Sequence, residues 1–126
     1  MFPHYGIVIC QGKREVGGEE KTTMLMVMIN TEGQYTIGKV IGSSYQVFSW
    51  WKTDEHIRKG FGIENTIAVG YESGVYTLEI NGAEMETFKD EEEPIHTGGK
   101  NGYVVVIAPE DRFPAYTVDV VFRERR

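Results

Sequence analysis

The sequence predicts an all-β domain, a two-sheet antiparallel sandwich, and three observations carry that expectation. Apolar runs of roughly five to nine residues recur at intervals of about ten, with Gly, Asn or charged clusters between them. Almost none repeats at i, i+3, i+4, so amphipathic helices are not indicated. Asn81-Gly82 stands between two alternating runs, and this dipeptide tolerates the paired positive φ angles of a tight type I′ hairpin.

The expected strands are Tyr5 to Gln11, Thr22 to Asn30, Gln34 to Ile41, Ser44 to Trp50, Asn65 to Tyr71, Val75 to Asn81, Glu84 to Phe88, Asn101 to Ala108 and Thr117 to Arg123. Thr23-Met24-Leu25-Met26-Val27-Met28-Ile29 is apolar at every second position in both phases, the pattern of a central strand covered on each side. Thr31-Glu32-Gly33 turns the chain into the next strand, where alternation places Tyr35 and Ile37 on one face. Ser73-Gly74 and Asn81-Gly82 make residues 65 to 88 a three-stranded meander. Only Thr53 to Gly60 carries helix signals: a capping residue, acids first, bases last and then glycine, enough for a turn or two. No repeat, linker or low-complexity tract divides residues 1 to 126, so one domain is expected.

Composition narrows the function classes. The chain has 126 residues, 40% of them hydrophobic, and a formal net charge of −6, which argues against generic attraction to nucleic acid or anionic lipid. No run approaches the roughly 18 apolar residues of a membrane span, so membrane insertion is not expected, and Met1-Phe2-Pro3-His4 has no signal-peptide pattern. The single cysteine, Cys10, lies in an apolar run and reads as a buried thiol.

Catalytic patterns are sparse. A glycoside hydrolase needs two carboxylates flanking the bond, and Glu84-Met85-Glu86 offers a pair that alternation would put on one face. The competing reading makes them solvated outer-face glutamates turned away from Met85 and Phe88. His4, His56 and His96 are far apart, with neither a cysteine pair nor an H-E-x-x-H pattern, so no transition-metal site and no cofactor are expected. Calcium on the Asp90 to Glu93 run or on Glu110-Asp111 competes with plain surface charge. Gly98-Gly99-Lys100-Asn101-Gly102 precedes a strand and therefore reads as an inter-strand loop, not a phosphate cradle. Aromatic residues are the remaining handle, because sugars stack on exposed rings. Tyr45, Phe48, Trp50 and Trp51 cluster, and in a regular strand Trp50 and Trp51 cannot both face the core.

Tyr5-Gly6-Ile7-Val8-Ile9, Gly33-Gln34-Tyr35-Thr36-Ile37-Gly38-Lys39, Trp50 or Trp51 with Ile57 and Gly60, Asn65-Thr66-Ile67-Ala68-Val69, Tyr76-Thr77-Leu78-Glu79-Ile80-Asn81-Gly82 and Gly102-Tyr103-Val104 follow one another in an order that resembles the concanavalin A-like lectin/glucanase jelly-roll modules. The resemblance covers nearly the whole chain and implies a jelly-roll sandwich, often extracytoplasmic or on the cell envelope, with glycan the leading ligand class. The matching residues are turn glycines and core positions, none of them catalytic. Such modules usually carry one or two strands ahead of the Tyr-Gly-Ile-Val segment. Their absence would leave an open strand edge, which implies a homo-oligomer through that edge or a parent chain that supplies the missing strand. The resulting expectation is a noncatalytic binding module using Trp50, Trp51, Tyr35 and Tyr45. The alternatives are a structural or protein-interaction domain of a larger surface protein and, third, a hydrolase using Glu84 and Glu86.

Overall fold

The structure, a computed structural model, describes residues 4–91, 99–106 and 121–122. Its strands are β1 (His4–Val16), β2 (Glu19–Asn30), β3 (Gln34–Ile41), β4 (Ser44–Thr53), β5 (Ile67–Glu72), β6 (Val75–Ile80), β7 (Ala83–Phe88) and β8 (Lys100–Val106). Among the described residues all pairings are antiparallel, forming a five-stranded sheet ordered β4-β3-β2-β1-β8 and a three-stranded sheet ordered β5-β6-β7. The molecule is a two-sheet β-sandwich.

The doubly apolar strand takes the middle of the larger sheet, as its pattern predicts. On the inward face Leu25, Val27 and Ile29 are fully buried; on the other, Met28 is buried and Met24 and Met26 are half-buried. Across the sandwich, Tyr76, Leu78, Ile80 and Phe88 meet Leu25, Val27, Ile29 and Ile37 in one core. Each fully buried aliphatic side chain of this kind contributes about 1.5–3 kcal/mol.

Regular alternation fails at four places. In β1 the register slips between Ile9 and Gly12, where Cys10 has a φ of 57° and turns into the core beside Ile9. Along β3–β4 it slips twice, between Tyr35 and Ile37 and between Ile37 and Gly38. In β6–β7 it slips between Leu78 and Glu79. Each β-bulge sets two residues against one and changes which face the following side chains take.

The helix signals at Thr53 to Gly60 resolve into a single turn. The Asp54 carboxylate accepts the His56 backbone N–H at 2.8 Å and the Asp54 carbonyl accepts the Ile57 N–H at 3.2 Å. The Asp54 side chain thus takes over a backbone partner that helix propagation would need. The β1–β2 hairpin runs further than the apolar pattern suggests, through the charged pairs Arg14 with Lys21 and Glu15 with Glu20. Glu92, Glu93, His96, Gly98, Glu110-Asp111, Ile107-Ala108 at the end of the eighth run and most of the run Thr117 to Arg123 lie outside the described residues.

The β6–β7 turn forms as its residues dictate, with φ of 53° at Asn81 and 83° at Gly82. Asn81 also braces the neighbouring loop: its Oδ1 accepts the Thr66 N–H at 2.8 Å, and its Nδ2 donates to the His56 carbonyl at 2.7 Å and to Asn65 Oδ1 at 2.8 Å. Asn81→Ala is expected to destabilise the protein by about 1–3 kcal/mol in urea denaturation, since it strands several polar partners. Asn81→Gly keeps the turn dihedrals and recovers only the backbone part of that loss.

Candidate functional site

Among the described residues strand β4 ends the larger sheet, and its double register slip decides where the candidate aromatics go. Ile37 pairs with Ser49 and Tyr35 with Lys52, so Trp50 and Trp51 together stand opposite Thr36. Trp50 is 65% exposed. Trp51 is half-buried, its indole edge-on to the His4 ring at 5.1 Å. Tyr45 pairs with Val40 and Val47 with Gly38, and each of these two β4 side chains is 43% exposed. The Tyr45 ring lies over Gly38 so closely that a Cβ there would sit 2.2 Å from the phenolic oxygen, so a larger residue at 38 would displace the ring. Burial pushes the Tyr45 hydroxyl pKa up, partly offset by its hydrogen bond with Thr36.

Tyr35 is elsewhere. It is 4% exposed, packs in the core and donates its hydroxyl to Glu86 at 2.7 Å. Alternation with Ile37 places it inward, so it shares no surface with Trp50 and Tyr45 and offers no face for stacking. Phe48 also turns inward and meets Phe88 at 5.1 Å.

Glu84 and Glu86 do not form a carboxylate pair. Glu84 pairs with Glu79 and is exposed, whereas Glu86 pairs with Leu78 and turns between the sheets. The intervening bulge at Met85 removes the alternation that would have aligned them. Glu86 is therefore not the solvated outer residue of the simpler reading either; it faces the same side as Met85 and Phe88. It is an acceptor hub, taking hydrogen bonds from Ser49 Oγ at 2.6 Å, Tyr35 Oη at 2.7 Å and Lys52 Nζ at 3.3 Å. Burial pushes its carboxyl pKa up, but the donors Ser49, Tyr35 and Lys52 outweigh this and hold it below the ordinary value of 4.5. Burial and the Glu86 contact raise the Tyr35 hydroxyl far above its usual range. This arrangement keeps an anion as an anion and its donors protonated, the opposite of what a catalytic acid requires.

A second polar feature also lies between the sheets. Lys39, inward on β3, pairs with Asp90 just beyond β7, with side chains only 1% and 3% exposed. The signal was legible, because Lys39 falls in phase with Tyr35, Ile37 and Ile41. On the outer side of the smaller sheet, Arg58, Glu64, Thr66, Glu79 and Asn81 line a shallow open cleft of about 480 Å³. Among the described residues, no three His, Cys, Asp or Glu side chains come together to hold a metal ion, and no helix is long and apolar enough to cross a membrane. No protein-family model, curated protein or solved structure matches the chain.

The lowered Glu86 pKa gives its contacts a defined pH dependence. A carboxylate with a depressed folded pKa stabilises the protein above its unfolded value, and that contribution fades as pH falls through the folded value. Wild type is therefore expected to exceed Glu86→Gln in thermal stability at neutral pH. The difference should shrink progressively below pH 4.5, read by melting temperature across an acid series.

Proposed function

We propose that this chain is a noncatalytic binding module whose ligand surface is strand β4, with carbohydrate as the ligand class. The observation that carries this reading is the exposure of Trp50 and Tyr45 on one strand, with Trp51 held beside them by His4. Aromatic rings provide large, rigid faces at little entropic cost, and amphipathic ligands such as sugars use them through their C–H faces. The Tyr45 ring extends over Gly38 to Thr36, the residue opposite Trp50 and Trp51, so the rings line one continuous stretch of β4. The bulge supports the same reading, since such irregularities commonly re-aim side chains at binding sites.

Val47 favours a second reading. An exposed aliphatic residue between the aromatics, on a strand unpaired on its outer side among the described residues, also suits pairing with a second copy or another protein. Light scattering on Val47→Lys and wild type separates the two readings: pairing requires association in wild type that the substitution removes.

The carbohydrate reading is tested by glycan-array screening followed by titration of the strongest binder. Trp50→Ala and Tyr45→Ala are each expected to weaken binding about tenfold or more, equivalent to about 1.4 kcal/mol, with melting temperature nearly unchanged for Trp50→Ala. Tyr35→Phe should leave affinity intact. Absence of glycan binding in the folded wild type would overturn the proposal.

A further inference from the structure

We propose that Lys39 and Asp90 become joined by an amide bond between Lys39 Nζ and Asp90 Cγ, a cross-link between the two sheets that the folded chain forms itself. Lys39 is the largest fully buried side chain among the described residues. Its Nζ lies 2.5 Å from Asp90 Oδ1, and neither side chain has more than 3% of its surface exposed. The surroundings are aromatic: Nζ is 5.8 Å from the centre of the Phe48 ring, Phe48 meets Phe88, and Phe88 stacks on Tyr76 at 5.0 Å.

Two physical arguments turn that geometry into a reaction. Both side chains are withdrawn from bulk water, and a site that excludes water protects the product amide from hydrolysis once it has formed. The partners also come from elements fixed by separate sheets, so encounter is already complete; well-oriented intramolecular reactions reach effective molarities of about 10⁵–10⁸ M. The atoms balance without a co-reactant. Nζ attacks Cγ, the C–N bond forms, one Cγ–O bond breaks, and that oxygen leaves as water with two hydrogens originally on the ammonium. Cys10 and Tyr76, which hydrogen-bond to each other within electrostatic reach of Asp90, carry exchangeable protons for that transfer.

An ordinary ion pair is the competing state, and mass distinguishes the two. Purified, denatured wild type is expected to be one water lighter than its sequence mass, and tandem mass spectrometry of a digest should yield a branched peptide linking Lys39 to Asp90. Lys39→Met and Asp90→Ala should return to full sequence mass. Asp90→Asn, where it reacts, should lose ammonia in place of water. Wild-type protein that is folded by circular dichroism yet retains its full mass after prolonged incubation would overturn the proposal, as would a water loss traced to a succinimide at Asp90. Glycan binding by β4 is read independently of this outcome.

Discussion

The structure depends on the contact between two apolar sheet faces, Leu25, Val27, Ile29 and Ile37 on one side and Leu78 and Ile80 on the other, all six fully buried. At about 1.5–3 kcal/mol apiece their burial exceeds the roughly 1 kcal/mol of a typical hydrogen bond several times over. Burial is non-directional, however, and by itself leaves one sheet able to slide over the other. Two polar ties remove that freedom. Glu86 reaches from the smaller sheet to Tyr35, Ser49 and Lys52 of the larger, and Asp90 reaches from the end of β7 to Lys39. A displacement of either sheet would leave these buried groups unpaired, at a cost that grows with their burial.

Bulges recur wherever the molecule does something other than repeat. In β1 one turns the Cys10 thiol inward, and in β7 one directs Glu86 to the interior while leaving Glu84 in solvent. In β4 the paired slips let Phe48 and Ser49 both face the core and put Trp50 and Trp51 opposite a single partner. The core would be poorer with strict alternation, because either Phe48 or Ser49 would have to leave it. The exposed indole of Trp50 is thus linked to the packing of Phe48: one irregularity serves both.

Much of the architecture was legible because its signals are local or strictly periodic. The doubly apolar run of β2 specifies a central strand, and Asn81-Gly82 specifies its hairpin by dihedral preference alone. The burial of Tyr35 was also legible, since its phase with Ile37 was visible; aromatic identity suggested a ligand role that phase argues against. The Glu84–Glu86 pairing failed for a different reason. Alternation is valid only within an unbroken register, and a bulge depends on what the neighbouring strand packs against, which a one-dimensional pattern does not contain. The charged end of the β1–β2 hairpin was missed because solvent-exposed strand residues carry no apolar period.

Placing exposed aromatics on β4 carries a hazard that its own irregularity addresses. Among the described residues β4 is a terminal strand, and exposed Tyr45, Val47 and Trp50 add an apolar surface to that open edge, the combination that invites edge-to-edge aggregation. A flat strand would present those groups in a straight row that a second strand matches at every step. The two slips in β4 change the local twist and interrupt the spacing, so an incoming strand cannot keep register along its length. Rings remain accessible to a ligand that stacks on side chains and needs no backbone ladder, while a β-strand meets a broken template. The same distortion therefore favours side-chain recognition over strand addition, and this is the physical reason for ranking a stacked carbohydrate above a paired polypeptide on this strand.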